Sequence, residues 1–377
     1  MYNISDKIGG QKMIISVDNK KTLNDFIYFI KDIYKNDEHY VYPIFFAVKK
    51  ELSRLVLEEK TYKAILSVEQ NQIKGRILYT IEYSKKQQKK ICYFSFFDCY
   101  DDIKIVNELF EYLETDMKNN NIDYMEGAFS PYDPDTRRGI LVSGFQIDPT
   151  IFTAYNKDYY GRLLESYGFR KAIDTVSLNA KVDDKSKKRL NTLSKYFTRS
   201  HDVRIDSLDF KNLDKDMNDV HEILKVATND IIYQDAPTID LIADAARTLK
   251  PFINPKFIKI ARDNQTEAPV GFCLVLPDFN QVLKKTKGKI RPLRMLLLKR
   301  KITKARGTMQ YIIPSYQNTG LIGHMFKSIF DEFVISGISD FEAGTMMENN
   351  DKPINAFKKF GGEIIKVYRL YGKDIKL

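Results

Sequence analysis

Residues 311–326 read YIIPSYQNTGLIGHMF, and the rest of the chain is read outward from this run. The segment leading into it, TMQYII, is β-branched and aromatic, short and bounded, as in a buried strand. The segment LIGHMFKSIFDEFVISG sets apolar residues at helical spacing and stops at Gly337. A strand that passes through Gln-Asn-Thr-Gly straight into a helix aims several backbone N–H groups at one point, a ready anion site. A glycine in such a turn lets a ligand come very close to the backbone.

The chain has 377 residues, too many for one ordinary core, and this predicts two domains or three. Apolar residues make up 43% and charged residues 29%, a balance that excludes disordered and fibrous classes. No apolar run reaches the roughly 18 residues of a membrane helix. The start, MYNISDKIGGQKM, has no apolar core of the signal-peptide kind. A cytoplasmic protein with no membrane partner is expected. Cys92, Cys99 and Cys273 form no close metal-type pair and read as reduced, buried thiols. The four histidines are scattered, so no metal site is expected.

A net charge of +10 favours polyanionic partners. Residues 284–306, KKTKGKIRPLRMLLLKRKITKAR, hold eleven Lys or Arg and no acid. Two readings stand side by side: a solvated surface helix, or an electrostatic collar for a phosphorylated ligand or for RNA. The 23 Tyr and 24 Phe are not interleaved with basic residues as in a single-strand binding platform.

Periodicity predicts helices over 23–35, 49–58, 103–118 and 158–167 in the first half, with strands over 62–69, 74–83, 91–97, 122–128 and 175–182. The second half repeats the order, with helices over 215–228 and 239–249 and strands over 257–262 and 270–276. The opening strand and helix follow, then a strand at 341–345, a helix at 353–360 and a strand at 364–371. Two helix-glycine-strand endings match, YYGRLLESYGFRKAIDT and INAFKKFGGEIIKVYRL, about Gly168 and Gly361. An internal duplication of a mixed α/β unit is expected. The polar, basic segment 183–200 reads as helical and as a linker, which divides the chain into domains at 1–182 and 201–377.

IIPSYQNTGLIG resembles the acyl-CoA pyrophosphate loop of the GNAT acetyltransferase superfamily, in which Gln/Arg-x-x-Gly-x-Gly/Ala opens a helix. MENNDKPINAFKKFGG resembles that superfamily's next signature, an Asn after the fifth strand, a short helix and a glycine. The resemblance covers roughly the last 180 residues and implies tandem GNAT-like domains, each a mixed central sheet flanked by helices, as in FemABX-like and N-myristoyltransferase-like proteins. It implies acetyl-CoA or another acyl-CoA as donor and an amine as acceptor, with direct transfer between them. The amides of Asn318, Thr319, Gly320, Leu321 and Ile322 would face the pyrophosphate, and Gln317 would bond a phosphate oxygen. Tyr311, Ile312 and Ile313 would pair with the pantetheine arm, and Asn350 would hold it.

This chain departs from the pattern in three places. Ile322 replaces a small residue and Gly323 comes one position late. Phe357 stands where many members have a general-acid Tyr, and Gln310 stands where an acidic residue often precedes the loop. Glu348 is the carboxylate expected to act as general base, and Tyr233 is expected at the acceptor pocket as acid or aromatic wall. In the first half the corresponding run is FFDCYDD, whose Asp98, Asp101 and Asp102 are expected to repel a pyrophosphate. Two further functions fit the sequence: an aminoacyl-tRNA-dependent transferase of the FemABX kind, and a non-catalytic acyl-CoA-binding protein.

Overall fold

The computed structural model describes residues 12–134, 136, 138–228, 236–250, 253–289 and 291–376. It divides into two compact units that do not follow the expected cut. The first comprises Met1–Thr175, Leu283–Ile290 and Lys366–Leu377, and the second Val176–Val282 and Arg291–Ile365. The end of the chain therefore belongs to the unit in which the chain began. The expected linker is a helix of the second unit.

In the first unit the chain runs β1 (Met13–Ser16), α1 (Lys20–Tyr28), α2 (Ile30–Ile33), α3 (Phe45–Leu52), β2 (Lys63–Glu69), β3 (Gln72–Ser84) and β4 (Lys89–Cys99). It continues through α4 (Ile103–Asn119), β5 (Tyr124–Gly127), β6 (Ile140–Ser143) and α5 (Tyr160–Ser166) into β7 (Arg170–Lys181), which ends in the second unit. There α6 (Asp184–Phe197), β8 (Val203–Ser207), α7 (Leu213–Ala227), α8 (Ile239–Leu249), β9 (Ile258–Asp263) and β10 (Pro269–Pro277) follow, and then α9 (Asn280–Thr286), which passes into the first unit after Val282. The remaining elements are α10 (Pro292–Lys299), β11 (Lys304–Ile312), α11 (Leu321–Ser336), β12 (Asp340–Met347), α12 (Asp351–Lys359) and β13 (Glu363–Asp374). No helix among the described residues is long and apolar enough to cross a membrane.

The two units share one wiring. In the first, β1, β2, β3 and β4 are antiparallel neighbours, and α4 carries the chain over to β5, parallel to β4. In the second, β8, β9, β10 and β11 are antiparallel neighbours, and α11 carries the chain to β12, parallel to β11. Parallel neighbours need such a crossover. In each half of the chain a short helix, a glycine and a strand then follow. Gly168 after α5 and Gly361 after α12 have φ of 100° and 105°, left-handed values that close a helix before a strand. In the first unit the last part of β13 completes the sheet, pairing with β5 from Tyr371↔Gly127 to Asp374↔Tyr124.

Both crossover helices form for the same reason. In α4 the buried Ile105, Val106, Leu109, Phe110, Leu113 and Met117 recur at three and four residues, and in α11 so do Leu321, Met325, Phe326, Ile329, Phe330 and Phe333. Phenylalanines cluster around α11 in the second core: Phe326 packs 5.4 Å from Phe341 and 5.3 Å from Phe360 between ring centres. Each such side chain contributes about 1.5–3 kcal/mol when buried. Gly337, at φ 73°, ends α11.

Candidate functional site

Strands β11 and β12 pair only from Lys304↔Asp340 to Gly307↔Ala343. Arg306 and Glu342, both buried, stand opposite each other on the next-to-last rung, 3.9 Å apart. Just beyond, the register between β10 and β11 slips between Leu274 and Val275, which leaves Thr308 as an extra residue on β11. Its hydroxyl donates to the Leu274 carbonyl at 3.0 Å. A bulge of this kind bends its strand. Among the described residues β11 has no β12 partner beyond Gly307, and residues 307–313 are all half-buried.

The bent strand leads into the loop. Pro314–Tyr316 forms one 3-10 turn, Gln317 is extended, and Asn318 and Gly320 are left-handed at φ 64° and 100°. Tyr316 donates to Asp263 at 2.7 Å, pinning the loop to the end of β9. That bond, with others from Thr266 and Gln265, pulls the Asp263 carboxyl down to about 2. Thr319 Oγ1 closes the turn on the Tyr316 carbonyl at 2.7 Å.

Helix α11 starts at Gly320 with no side-chain cap. The amides of Asn318, Thr319, Gly320 and Ile322 have no hydrogen-bond partner among the described residues, and that of Leu321 has only Thr319 Oγ1 at 3.4 Å. Consecutive unpaired amides around left-handed residues make a concave anion-binding nest, to which the helix dipole adds. A Cβ on Gly320 would meet nothing closer than Phe197 Cβ at 3.8 Å, so its outer side is open.

Gln317 is placed differently from the role expected of it. Its side-chain nitrogen donates to the Ile312 carbonyl at 3.1 Å, and its oxygen accepts from Lys352 Nζ at 2.9 Å. It fastens the loop and brings an ammonium beside it. Lys352 was missed in the sequence because its partner lies 35 residues away.

Gly323 also has its own reason. A Cβ there would come within 2.9 Å of Leu193 Cβ on α6, so the glycine permits close packing of α6 on α11. The expected linker buries Ser186, Leu190, Ser194 and Phe197 in α6 and flanks the loop. Ser194 Oγ lies 2.8 Å from His324 Nδ1 on α11.

No family model matches the chain. Protein YghO of Escherichia coli is 24% identical over 391 residues, spanning 99% of this chain and 98% of its own. The bacterial ceramide synthase of Caulobacter vibrioides is 23% identical over 290 residues, 73% of each chain. Among solved structures, the tandem GNAT protein from the clavulanic acid biosynthesis pathway matches with a TM-score of 0.58 at 9% identity, over 97% of this chain and 99% of that one. This chain has the tandem GNAT fold.

Within the GNAT fold the remaining residues fall as follows. Tyr311 and Ile312 pair with Phe272 and Gly271 of β10, on the stretch of β11 beyond its rungs to β12, and Ile313 follows them. Asn350 is exposed and starts α12, its side chain making no cap, while its amide donates to the Met347 carbonyl at 2.9 Å. Glu348 is exposed in the turn after β12. Tyr233 lies outside the described residues. Phe357 is fully buried, 4.6 Å from Phe360 and 5.3 Å from Phe341 between ring centres, so the place of the expected tyrosine is filled as core.

The first GNAT-like unit carries the same bulge with a different ending. The β3–β4 register slips between Arg76 and Leu78, just past the last rung to β5, and Phe96 there is left-handed at φ 50°. Its Asp98 does not face solvent as a repelling charge. The carboxylate is buried against Arg76 at 2.5 Å and accepts from Tyr34 at 2.8 Å and Tyr160 at 3.2 Å. Asp101 pairs with Arg162 at 2.5 Å. Asp102 caps α4 by accepting from the Lys104 amide at 2.9 Å. Two of the three acids are thus part of the fold, and the third makes an exposed pair.

Proposed function

We propose that the protein is an N-acyltransferase that takes its acyl group from an acyl-CoA, held by the second unit alone, and passes it to an amine. The observation that carries this reading is the uncapped start of α11, where the amides of Asn318, Thr319, Gly320 and Ile322 have no hydrogen-bond partner among the described residues, at the end of the stretch of β11 beyond its rungs to β12. The residues fit a pyrophosphate: no carboxylate caps the helix, Gly320 leaves the approach open, and Lys352 adds positive charge. When bound, an acyl-CoA supplies an activated thioester.

The roles of the chain's own groups follow from this. The loop amides hold the phosphates, and the edge of β11 from Tyr311 to Ile313 pairs with the extended arm as an added strand would. Asn350 steadies that arm. Glu348 is our candidate to take the amine's proton. With Phe357 in the core and no hydroxyl in its place, the leaving thiolate departs without a protein acid there. Acid–base help contributes roughly two to four orders of magnitude, so positioning and backbone N–H polarisation are left as the main sources of rate.

A ceramide is a fatty amide of a long-chain amino alcohol, so the likeness to the Caulobacter protein supports amide formation as the reaction class. It also favours a long-chain donor and a lipid amine over acetyl-CoA and a small polar amine. The test is calorimetric titration with free CoA, acetyl-CoA and palmitoyl-CoA, followed by thiol release against a panel of amines that includes long-chain amino alcohols. One-site CoA binding with amine-dependent thiol release is expected. Binding without release across the panel would leave an acyl-CoA-binding protein. Salt-sensitive tRNA binding with no CoA affinity would replace this reading by aminoacyl-tRNA-dependent transfer.

A further inference from the structure

Helix α10 and its flanks, residues 291–301, hold five Lys or Arg and no acid, together with the second unit's most exposed leucines among the described residues. Leu293 is 81% exposed and Leu297 69%. Four residues apart on one helix, they share a face. Arg300 follows Leu297 by three residues and continues that face, while Arg291, Arg294 and Lys301 are exposed around it. No acid occurs between residues 284 and 306. The helix is held from behind: Met295 and Leu298 are half-buried, Ile302 is buried, and Lys299 Nζ sits 5.8 Å over the Phe279 ring.

Leucines left in water beside arginines have no use on a merely solvated face. A nucleic acid would answer the charge and leave the leucines wet. An anionic lipid surface answers both, taking the apolar side chains at the acyl boundary and the guanidinium groups at the phosphates. We propose that α10 docks the second unit onto anionic lipid bilayers, in the plane of the interface and without crossing it. With only eight residues and two described exposed leucines, the docking is reversible and depends on salt. It is independent of acyl transfer, since neither leucine lies in the α11 loop.

The full chain, with no CoA present, is sedimented with phosphatidylcholine vesicles and with vesicles that also contain phosphatidylglycerol. Partitioning into the anionic vesicles is expected to be stronger by about tenfold or more and to weaken as salt rises. The double variant Leu293→Ser, Leu297→Ser should lose about tenfold of that partitioning with an unchanged melting temperature. Arg294→Glu with Arg300→Glu should abolish the preference for anionic over neutral vesicles. Equal partitioning of the natural protein onto both vesicle types would overturn the proposal, as would an unaffected leucine variant. Tight RNA binding that survives the leucine substitutions, with no vesicle binding, would assign the face to nucleic acid instead.

Discussion

The two strand-to-helix crossovers have the same wiring and opposite chemistry at the helix start. In the first unit Tyr100, Asp101 and Asp102 alone join β4 to α4, and Asp102 satisfies the helix from within. In the second, residues 313–320 join β11 to α11, and the helix begins at a glycine that offers its amides outward. A helix N-terminus attracts one anion, and the residue at the cap decides whether that anion is the protein's own. The bulges that bend β4 and β11 are common to both copies, so bending alone does not distinguish the binding copy.

The largest effect is expected where the first copy has turned its acids inward. Asp98→Ala would leave the Arg76 guanidinium buried without its carboxylate, at a cost of about 3–5 kcal/mol. Urea unfolding should show that loss, while CoA affinity per folded molecule stays unchanged. A variant as stable as the natural protein would mean that the buried pair does not hold the first unit together.

The reciprocal change turns the second crossover into the first. Gly320→Asp would cap α11 as Asp102 caps α4 and would force a side chain into φ 100°. Strain of about 1–2 kcal/mol is expected, together with at least a hundredfold loss of CoA affinity, or about 2.7 kcal/mol. Titration of the folded variant checks this, and an unchanged affinity would detach CoA from the loop. Lys352→Met tests the smaller contribution of charge. It should weaken binding by about three- to tenfold and flatten its dependence on salt.

Much of this comparison was legible in the sequence. The periodic stripes of α4 and α11, the glycines closing α5 and α12, and the loop with its order of elements all follow from local rules. The short strands β1, β6 and β8 were missed because four or five residues give too little alternation, and VRIDS in β8 is largely polar. The bulges depend on which strand lies opposite, which no local pattern records. Segment 183–200 looked like a linker because its basic residues outnumber its four buried ones, which sit at three- and four-residue spacing against α11. Asp98 was read as a repelling charge because its partner Arg76 lies on the neighbouring strand. The two compact units differ from the expected division because Lys366–Leu377 belongs with the first unit, a long-range choice.

The smallest effect separates the two helices one turn inside their starts. His324 is the fourth residue of α11, and Val106 holds the same place in α4. Burial pushes the His324 pKa below its ordinary value, and Lys327 adds repulsion. The folded state therefore binds a proton less readily than the unfolded chain. The stability contributed by the neutral ring is complete above the ordinary histidine value of about 6.5, and it is lost as the pH falls below that value toward the depressed folded one. Acidification should thus loosen the α6–α11 contact that flanks the loop, where the ring stacks 5.5 Å from Phe197. His324→Gln keeps a hydrogen-bonding side chain beside Ser194 and removes the titration. Its unfolding free energy should change less between about pH 7.5 and 5.5 than that of the natural protein. An identical pH slope in the two proteins would show that the second helix, like the first, has no titrating group in its seat.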